Sequence, residues 1–365
     1  MTQEEYLSYI VGSIETYSTK EKKQLITLFF NEGVAYKEIV QQTQISDMEA
    51  QNITGLELSE QIKKCITGNN KAVRIFEKWE FTKDYKYSII CKTDDYDVFA
   101  SKVKNDSRVK ADENESAYMS DVRNVPVIFK PPIIFEMDDF LILKYNLKFE
   151  ALHPQTEEEL LIKYPLIIVL HKNEKLIEFR FDDLKRIFYY DTISKDKLYL
   201  HLTNIISDNL KNDYKIDISP LDLDFIKTKA KDSNEVKLIA NYMKTSIGGN
   251  AILEVGNNKE YILPFIGELN LLMREKKEEF NKAPVIKELL EQFIYEKEEM
   301  SDYPWIVVLW EAEKKTRNIT VKFIFNYMNS GFCLMQHYYN NVLVGMERMN
   351  HVVRFIGENR EDCPK

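Results

Sequence analysis

The chain has 365 residues, 44% of them apolar and 12% aromatic, so it can bury a sizeable core but is too long for one compact domain of about 100 to 200 residues. Its formal charge of −9 disfavours nucleic-acid binding over the whole surface and leaves only a local basic patch for that role. Only 11 residues are glycine, under half of the usual roughly 7%, and no P-loop, dinucleotide-binding, nucleophile-elbow, zinc-protease or EF-hand motif occurs, which excludes glycine-rich cofactor loops.

Residues 1–80 are predicted to form an all-helical domain. Their apolar side chains recur at helical spacing, without the alternation of a strand. The residues that carry this pattern are Tyr6, Ile10, Ile14, Leu25, Ile26, Phe29 and Phe30.

Within this region, residues 36–53 resemble a helix-turn-helix. Apolar residues stand where that motif buries its side chains, at Ile39, Val40, Ile45, Ala50 and Ile53. Ser46 or Asp47 would cap the second helix. That helix begins with Asp47 and Glu49 and contains no Lys or Arg, so its N-terminus would repel phosphate. A small helical bundle is therefore favoured over a DNA-reading domain.

A connecting strand and a charged linker are predicted over residues 81–124. Residues 104–124 carry many charges and almost no large apolar side chains, which is typical of a linker or a mobile loop. Strand patterns follow at 125–135 and 139–152. Pro131 and Pro132 in the first of these patterns are confined to an edge or a bend, because proline cannot donate to a ladder.

The most informative feature is an internal echo. Tyr164–Leu170 and Tyr303–Leu309 agree at five of seven positions. Each segment opens a predicted hairpin, and the return strands are expected at 176–181 and 319–325. Both segments are apolar on consecutive residues, so we expect core strands that are covered on both faces.

We expect similar elements around the two hairpins. A helix with a Leu-Leu pair is predicted before each one, at Leu160–Leu161 and Leu289–Leu290, and another helix after it. A further hairpin is predicted at 251–265. The fold class is therefore α+β, an N-terminal helical domain followed by an α/β platform in which hairpins and helices alternate. Internal duplication and chance similarity both remain open as explanations of the echo. The expected divisions are 1–80, 81–124, a first module at 125–245, a second at 246–357 and a polar tail at 358–365.

The first candidate site consists of Asp302, Glu311, Glu313 and Lys315. They resemble the Asp, Glu-x-Lys arrangement of metal-dependent nucleases, in which carboxylates hold Mg²⁺ and a lysine helps to activate the attacking water. The alternative is a charged turn of the second hairpin, exposed to solvent, and this alternative is favoured.

The second candidate site lies on a helix predicted over 334–356. At helical spacing, His337, Asn341, Arg348 and His351 form one polar stripe that would bind a phosphate or polarise a carbonyl. The alternative is the solvated face of an amphipathic helix, which needs no ligand.

The third candidate site is the only glycine pair. Ser246, Gly248 and Gly249 would let backbone amides face an anion. A helix C-cap that leads into a strand explains the same residues and is favoured.

The cysteines and the N-terminus point to a cytoplasmic protein. Cys65, Cys91, Cys333 and Cys363 are scattered and predict neither a zinc site nor a disulfide framework. No signal-peptide pattern and no apolar run of about 18 residues occurs, so no membrane segment is expected. No cofactor is predicted.

Two functional hypotheses follow. The first is a non-enzymatic interaction subunit that binds a protein partner, or a nucleic acid through a local patch, within a larger assembly. The Lys-, Ile- and Asn-rich composition is typical of AT-rich bacterial or mobile genomes, and motif-poor proteins of that origin are associated with phage defence. The second is a metal-dependent nuclease or nucleotide-processing enzyme that uses Glu311, Glu313 and Lys315. The oligomeric state is not indicated.

Overall fold

A computed structural model describes residues 2–37, 49–111, 122–124, 131–152, 157–189, 197–232, 235–244, 249–254, 264–299, 301–312, 317–339 and 345–360. The described chain is a mixed α+β protein that begins with helices and continues with mostly antiparallel strands. It divides into two compact units. The first unit comprises Met1–Ser219 with Leu343–Lys365, and the second comprises Pro220–Val342.

The described helices and strands follow one another along both units. The helices are α1 (Gln3–Ile14), α2 (Thr19–Asn31), α3 (Leu58–Gly68), α4 (Asn70–Thr82), α5 (Tyr96–Asn105), α6 (Leu198–Tyr214), α7 (Phe225–Asp232), α8 (Pro264–Glu275), α9 (Lys277–Asn281), α10 (Pro284–Glu299) and α11 (Glu347–Asn359). The strands are β1 (Ala35–Tyr36), β2 (Gln51–Asn52), β3 (Tyr87–Lys92), β4 (Lys110–Ala111), β5 (Val122–Asn124), β6 (Ile133–Glu136), β7 (Phe140–Leu152), β8 (Glu159–His171), β9 (Leu176–Phe181), β10 (Ser219–Pro220), β11 (Val236–Lys244), β12 (Asn250–Glu254), β13 (Asp302–Trp310), β14 (Ile319–Ile324) and β15 (Leu334–Tyr338).

The N-terminal helices of the first unit form as their sequence predicts. Thr2 and Ser18 cap α1 and α2 through capping boxes with Glu5 and Glu21, which satisfies backbone donors at both helix starts. The predicted apolar positions of α1, which include Ile10, are buried in the core of this unit.

The first 80 residues are not helical throughout, contrary to prediction. Ala35–Tyr36 and Gln51–Asn52 form a short parallel pair. Gly33 has a φ of 72°, a left-handed conformation that lets the chain leave α2 and turn into β1. Gln51 and Asn52 therefore lie in a strand, where the helix-turn-helix resemblance placed a recognition helix. Residues 38–48 of that motif are outside the described part of the chain.

The sheet strands of the first unit run in the order β3-β9-β8-β7-β6-β4, and β5 pairs in parallel with β7. The thirteen residues of β7 pair with the thirteen of β8 along their whole length. β8 then pairs antiparallel with β9, which confirms the first predicted hairpin. Leu160 and Leu161 lie in β8, not in the predicted helix. A two-residue apolar pair fits either structure, and here the ladder with Ala151 and Glu150 decides it.

Helix α1 lies along the part of β8 that β9 does not reach. The Ser13 hydroxyl accepts from the Lys163 backbone N–H at 2.9 Å and donates to the Lys163 carbonyl at 2.8 Å. A Cβ atom added to Gly12 would lie 1.9 Å from the carbonyl oxygen of Leu161. A glycine and a serine in consecutive positions therefore bring the helix backbone against the strand backbone.

The strands of the second unit form an antiparallel series in the order β12-β11-β13-β14-β15. The β13–β14 pair confirms the second predicted hairpin, and Leu289 and Leu290 lie in α10 as expected. Residues 334–338 form β15 and not the start of a C-terminal helix. Met335 and His337 are buried there, each opposite a buried residue of β14, so the alternation of a strand replaces the helical pattern.

Of the predicted hairpin at 251–265, the structure describes the first strand and the last two residues. β12 pairs with β11, which precedes it, and Pro264 begins α8, where the return strand was expected. Proline is suited to the first turn of a helix, where its missing N–H costs nothing. Residues 255–263 lie outside the described chain.

The two Tyr-Pro segments have unlike surroundings. Every residue of Tyr164–Leu170 is buried, as expected for a strand covered on both faces. In the second segment Pro304, Trp305 and Leu309 are only half-buried, so that expectation is wrong for β13. Each hairpin is confirmed, but β8 follows a strand while β13 follows a helix. The duplication remains a hypothesis.

Candidate functional site

The structure does not bring the two described carboxylates of the nuclease-like pattern together. Asp302 begins β13 and Glu311 follows its end, nine residues later, which corresponds to about 30 Å of extended chain. One divalent cation therefore cannot bind both. Glu311 forms an ion pair with Lys237 of β11. Glu313 and Lys315 are outside the described residues. Within the described ranges, no group of three or more His, Cys, Asp or Glu side chains is arranged to hold a metal ion.

The predicted polar stripe of the C-terminal helix is not formed. His337 is buried on β15 in the second unit, whereas Arg348 and His351 lie on α11 in the first unit. Residues 334–338 form a strand, so His337 does not share a helix with Arg348 and His351, and the helical spacing does not apply to it. Arg348 is buried and His351 is exposed. Asn341 is outside the described chain.

Of the three residues of the proposed anion site, the structure describes one. Gly249 immediately precedes β12, in agreement with its position before a strand. Ser246 and Gly248 are outside the described residues, so the anion site and the helix cap both remain hypotheses.

A buried ionic tetrad lies between α4 and the sheet of the first unit. Lys144 of β7 and Lys163 of β8 face Glu77 and Glu80 of α4, and all four side chains are inaccessible to solvent. The Lys144 ammonium lies 2.6 Å from Glu77 and 3.2 Å from Glu80, and the Lys163 ammonium lies 2.5 Å and 2.6 Å from the same two carboxylates. Two ammonium groups therefore neutralise two carboxylates.

Further contacts saturate the tetrad. The Tyr6 hydroxyl donates to Glu77, and the Tyr17 hydroxyl donates to Glu80 at 3.0 Å. Burial alone would raise the pKa of Glu77, but the two ammonium groups outweigh it and lower that pKa to about 2. Burial alone would lower the pKa of Lys163, but the two carboxylates raise it. With full burial and mutual pairing, the tetrad joins a helix to a sheet and offers no access to a substrate.

Lys83 forms a second buried group at the end of α4. Its ammonium lies 2.5 Å from Asp182 and 3.0 Å from Glu21, and the ring of Tyr85 lies 4.3 Å away. One ammonium serves two carboxylates here. Burial, only partly offset by Lys83, raises the pKa of Asp182 to about 7. The pKa of Glu21 is lowered because Lys83 and the Ser18 hydrogen bonds outweigh its burial.

A third buried ionic group connects the sheet of the first unit to α11. Glu178 lies 3.0 Å from His171 Nε2 and 2.7 Å from Arg180, whose guanidinium donates to Asn350 at 2.6 Å. Burial would raise the pKa of Glu178, but Arg180 and His171 outweigh it and lower it to about 2. None of these three groups was predicted. A charged residue inside an apolar strand, such as Lys144 in LILKYNL, is the signal that was available.

Asp84 provides a pH-dependent test of this buried electrostatics. It accepts from the Gly345 N–H at 2.9 Å, and burial raises its pKa to about 6. The folded state then binds more protons than the unfolded state between about pH 4 and pH 6, so this group's contribution to stability is present at low pH and is lost as the pH rises. As the pH rises from about 4 to about 6, we expect the free energy of unfolding of wild type to fall by about 2 kcal/mol relative to that of Asp84→Asn. Urea unfolding of both proteins in a pH series measures this difference. A difference between the two proteins that stays constant with pH would contradict the raised pKa.

The described surface carries one continuous row of large apolar side chains, on α10. We call Val285, Ile286, Leu289 and Phe293 the apolar stripe, and their exposed fractions are between 48 and 68%. On a helix, residues four apart lie on one line, so these four side chains fall within about 100° of arc. Ile294 of α10 is buried and lies about 130° around the helix from the middle of this arc.

Acidic side chains border the apolar stripe. Glu288 and Glu296 are exposed. Helical spacing places Glu288 one turn after Val285, on one flank of the apolar stripe, and Glu296 one turn after Phe293, at the C-terminal end of the apolar stripe. Glu296 accepts from the side-chain amide of Gln292 at 2.9 Å. Other exposed large apolar residues, such as Leu152 of β7, are single positions of an ordinary kind.

No protein family and no curated protein sequence matches the chain. None of the described helices has the length and apolar character needed to cross a bilayer.

Proposed function

We propose that the protein is a non-enzymatic interaction subunit that holds a protein partner on the apolar stripe of α10. The observation that carries the proposal is the solvent exposure of four large apolar side chains on one side of a single helix. Water contact with such a row is unfavourable by about 25 cal/mol for each Å² that a partner would cover. Contiguous exposed apolar surface of this kind marks protein-binding sites more often than isolated apolar residues do.

The charged residues of the described chain support an interaction role. Two of the three buried ionic groups, the tetrad and the Glu178 group, are inaccessible to solvent, and the carboxylates of the Lys83 group are only 15 to 17% exposed. All three hold helices on a sheet and leave little room for a substrate. The acidic α10 surface is unsuited to a phosphate backbone, so a protein is favoured over a nucleic acid as the partner.

The test is co-purification with the proteins encoded by neighbouring genes. Replacing Leu289 and Phe293 together by serine removes the centre of the apolar stripe and keeps the helix exposed. Central apolar anchors contribute about 2 kcal/mol or more each, so we expect recovery of the partner to fall at least about tenfold.

The matched control replaces Leu152 and Tyr295 by serine. Both are exposed to a similar degree, and Tyr295 lies on α10 away from the apolar stripe. Recovery should be unchanged in this control. Equal recovery with both double variants would contradict the proposal, as would Mg²⁺- or Mn²⁺-dependent cleavage of labelled DNA or RNA that Glu313→Ala abolishes.

A further inference from the structure

We infer that the segment docking on the apolar stripe is an amphipathic helix whose apolar face is flanked by Lys or Arg. The inference rests on the proposed function and specifies the chemistry of its partner.

The shape of the surface favours a helix as the partner. The line from Val285 to Phe293 spans nine residues, which is about 12 Å of helix axis. Side chains at i, i+4 and i+8 form a straight ridge, and the groove beside such a ridge accepts the ridge of a second helix. An amphipathic helix presents its own apolar anchors at the same spacing.

The charge of α10 selects a basic partner. Its sixteen residues contain two lysines, Lys287 and Lys297, and five glutamates, which gives 2 − 5 = −3. Both lysines are engaged on the helix itself. Lys287 lies 3.8 Å from Glu291, and the Lys297 ammonium lies 5.4 Å from the centroid of the Phe293 ring.

The two glutamates, Glu288 on one flank of the apolar stripe and Glu296 at its C-terminal end, leave an uncompensated charge. Among the described residues, neither Glu288 nor Glu296 forms an ion pair with a lysine or arginine. A partner helix that covers the apolar stripe along its length would pass next to both carboxylates. Lys or Arg at those positions would complement them, whereas Asp or Glu would repel them.

The same charge disfavours a second copy of this chain as the occupant. In a symmetric antiparallel pair of α10 helices, the same flank of each helix faces the other, so Glu288 would meet acidic residues of the second copy. The chain as a whole carries a charge of −9, which adds long-range repulsion. A different, basic segment satisfies both the apolar and the charged parts of the surface.

Two synthetic peptides serve as probes for the full-length protein. Both are amphipathic helices of about 18 residues, or about 27 Å, with one leucine stripe, and they differ only in their flanking residues, which are all Lys in one and all Glu in the other. Fluorescence anisotropy gives the Kd of each. We expect the Lys-flanked peptide to bind at least about tenfold more tightly at low salt, with a smaller ratio at about 1 M NaCl, where charges are screened within about 3 Å.

Charge reversal provides the decisive comparison. The double variant Glu288→Lys and Glu296→Lys should invert the preference, and the Leu289→Ser and Phe293→Ser variant should weaken both peptides. Glu4→Lys with Glu358→Lys, two exposed positions of the first unit, changes the net charge equally and should leave the preference as in wild type. Circular dichroism verifies that each variant is folded.

The results separate this inference from the proposed function. Equal Kd values for the two peptides, absence of binding to both, or a preference that Glu288→Lys and Glu296→Lys does not change would overturn the basic-helix inference. If co-purification still depended on Leu289 and Phe293, the interaction role would stand with a partner of different charge. If it did not, the apolar stripe itself would be refuted as the binding surface.

Discussion

Replacing Lys163 by methionine is expected to lower the free energy of unfolding by about 3 to 5 kcal/mol. Methionine keeps most of the volume of the side chain but removes one of two ammonium groups that serve Glu77 and Glu80. Lys144 alone would then face two buried carboxylates, which leaves a net negative charge away from water. An uncompensated buried charge is far more costly than the loss of a surface ion pair.

The measurement is urea unfolding, with hydrogen exchange of the α4 amides to locate the effect. Lys172→Met is the matched control, because its ammonium lies 2.9 Å from Glu136 but both side chains are partly exposed. An exposed pair contributes about 0 to 1 kcal/mol, so the control should change little. Similar losses in the two variants would show that burial of the tetrad has no energetic consequence.

Glu77→Gln tests the same tetrad if Lys163→Met does not fold. The amide keeps the shape of the side chain and some of its hydrogen bonds. Two ammonium groups then face one carboxylate, which leaves one uncompensated positive charge. Because the pKa of Glu77 is lowered to about 2, its carboxylate stabilises the folded state above the pKa of an unfolded glutamate, and this contribution is lost as the pH falls toward 2. Wild type and Glu77→Gln should therefore converge in stability at low pH.

Replacing Gly12 by alanine is expected to lower the free energy of unfolding by about 3 kcal/mol. The added Cβ would lie 1.9 Å from the Leu161 carbonyl oxygen, far inside van der Waals contact, and a strand backbone cannot move aside as a side chain can. The gain in helix propensity, about 1 kcal/mol in favour of alanine, is too small to compensate. Helix α1 would have to shift and lose the Ser13 hydrogen bonds to Lys163.

Gly68→Ala is the control for this prediction. Gly68 also ends a helix, and its nearest neighbours are the side-chain atoms of Gln51, at 2.7 Å or more from an added Cβ. The end of a glutamine side chain can rotate away, so the variant should be neutral or slightly more stable. Thermal unfolding of both variants and of wild type measures the effect. A Gly12→Ala protein that is as stable as wild type would refute the close approach of α1 to β8.

Local patterns predicted much of the fold. The spacing of Tyr6, Ile10 and Ile14 predicted α1, because a helix that packs on one side repeats its apolar residues every three or four positions. The two hairpins were also predicted, since each pairs neighbouring segments of the chain. Leu160–Leu161 and residues 334–338 were assigned wrongly, because short apolar runs fit helix and strand equally and their partners settle the choice.

The buried ionic groups were not predictable from local patterns. Lys144 and Lys163 in apolar strands indicate that something must neutralise them, but Glu77 and Glu80 lie more than sixty residues away in sequence on a helix. The α10 surface was missed for a different reason. Its apolar residues have the spacing of any core-facing helix, and only the fold shows that they remain outside.

The placement of α1 against β8 has a consequence for shortened versions of the protein. Without residues 1–17, the backbone N–H and C=O of Lys163 would lose the hydroxyl that satisfies both, and an apolar strand would present open hydrogen-bonding groups to other molecules. Such an uncovered strand is a template for intermolecular β-pairing and fibril growth. We therefore expect the first helix to keep this strand from pairing with other molecules, so that versions that begin after it precipitate under conditions in which the full chain does not.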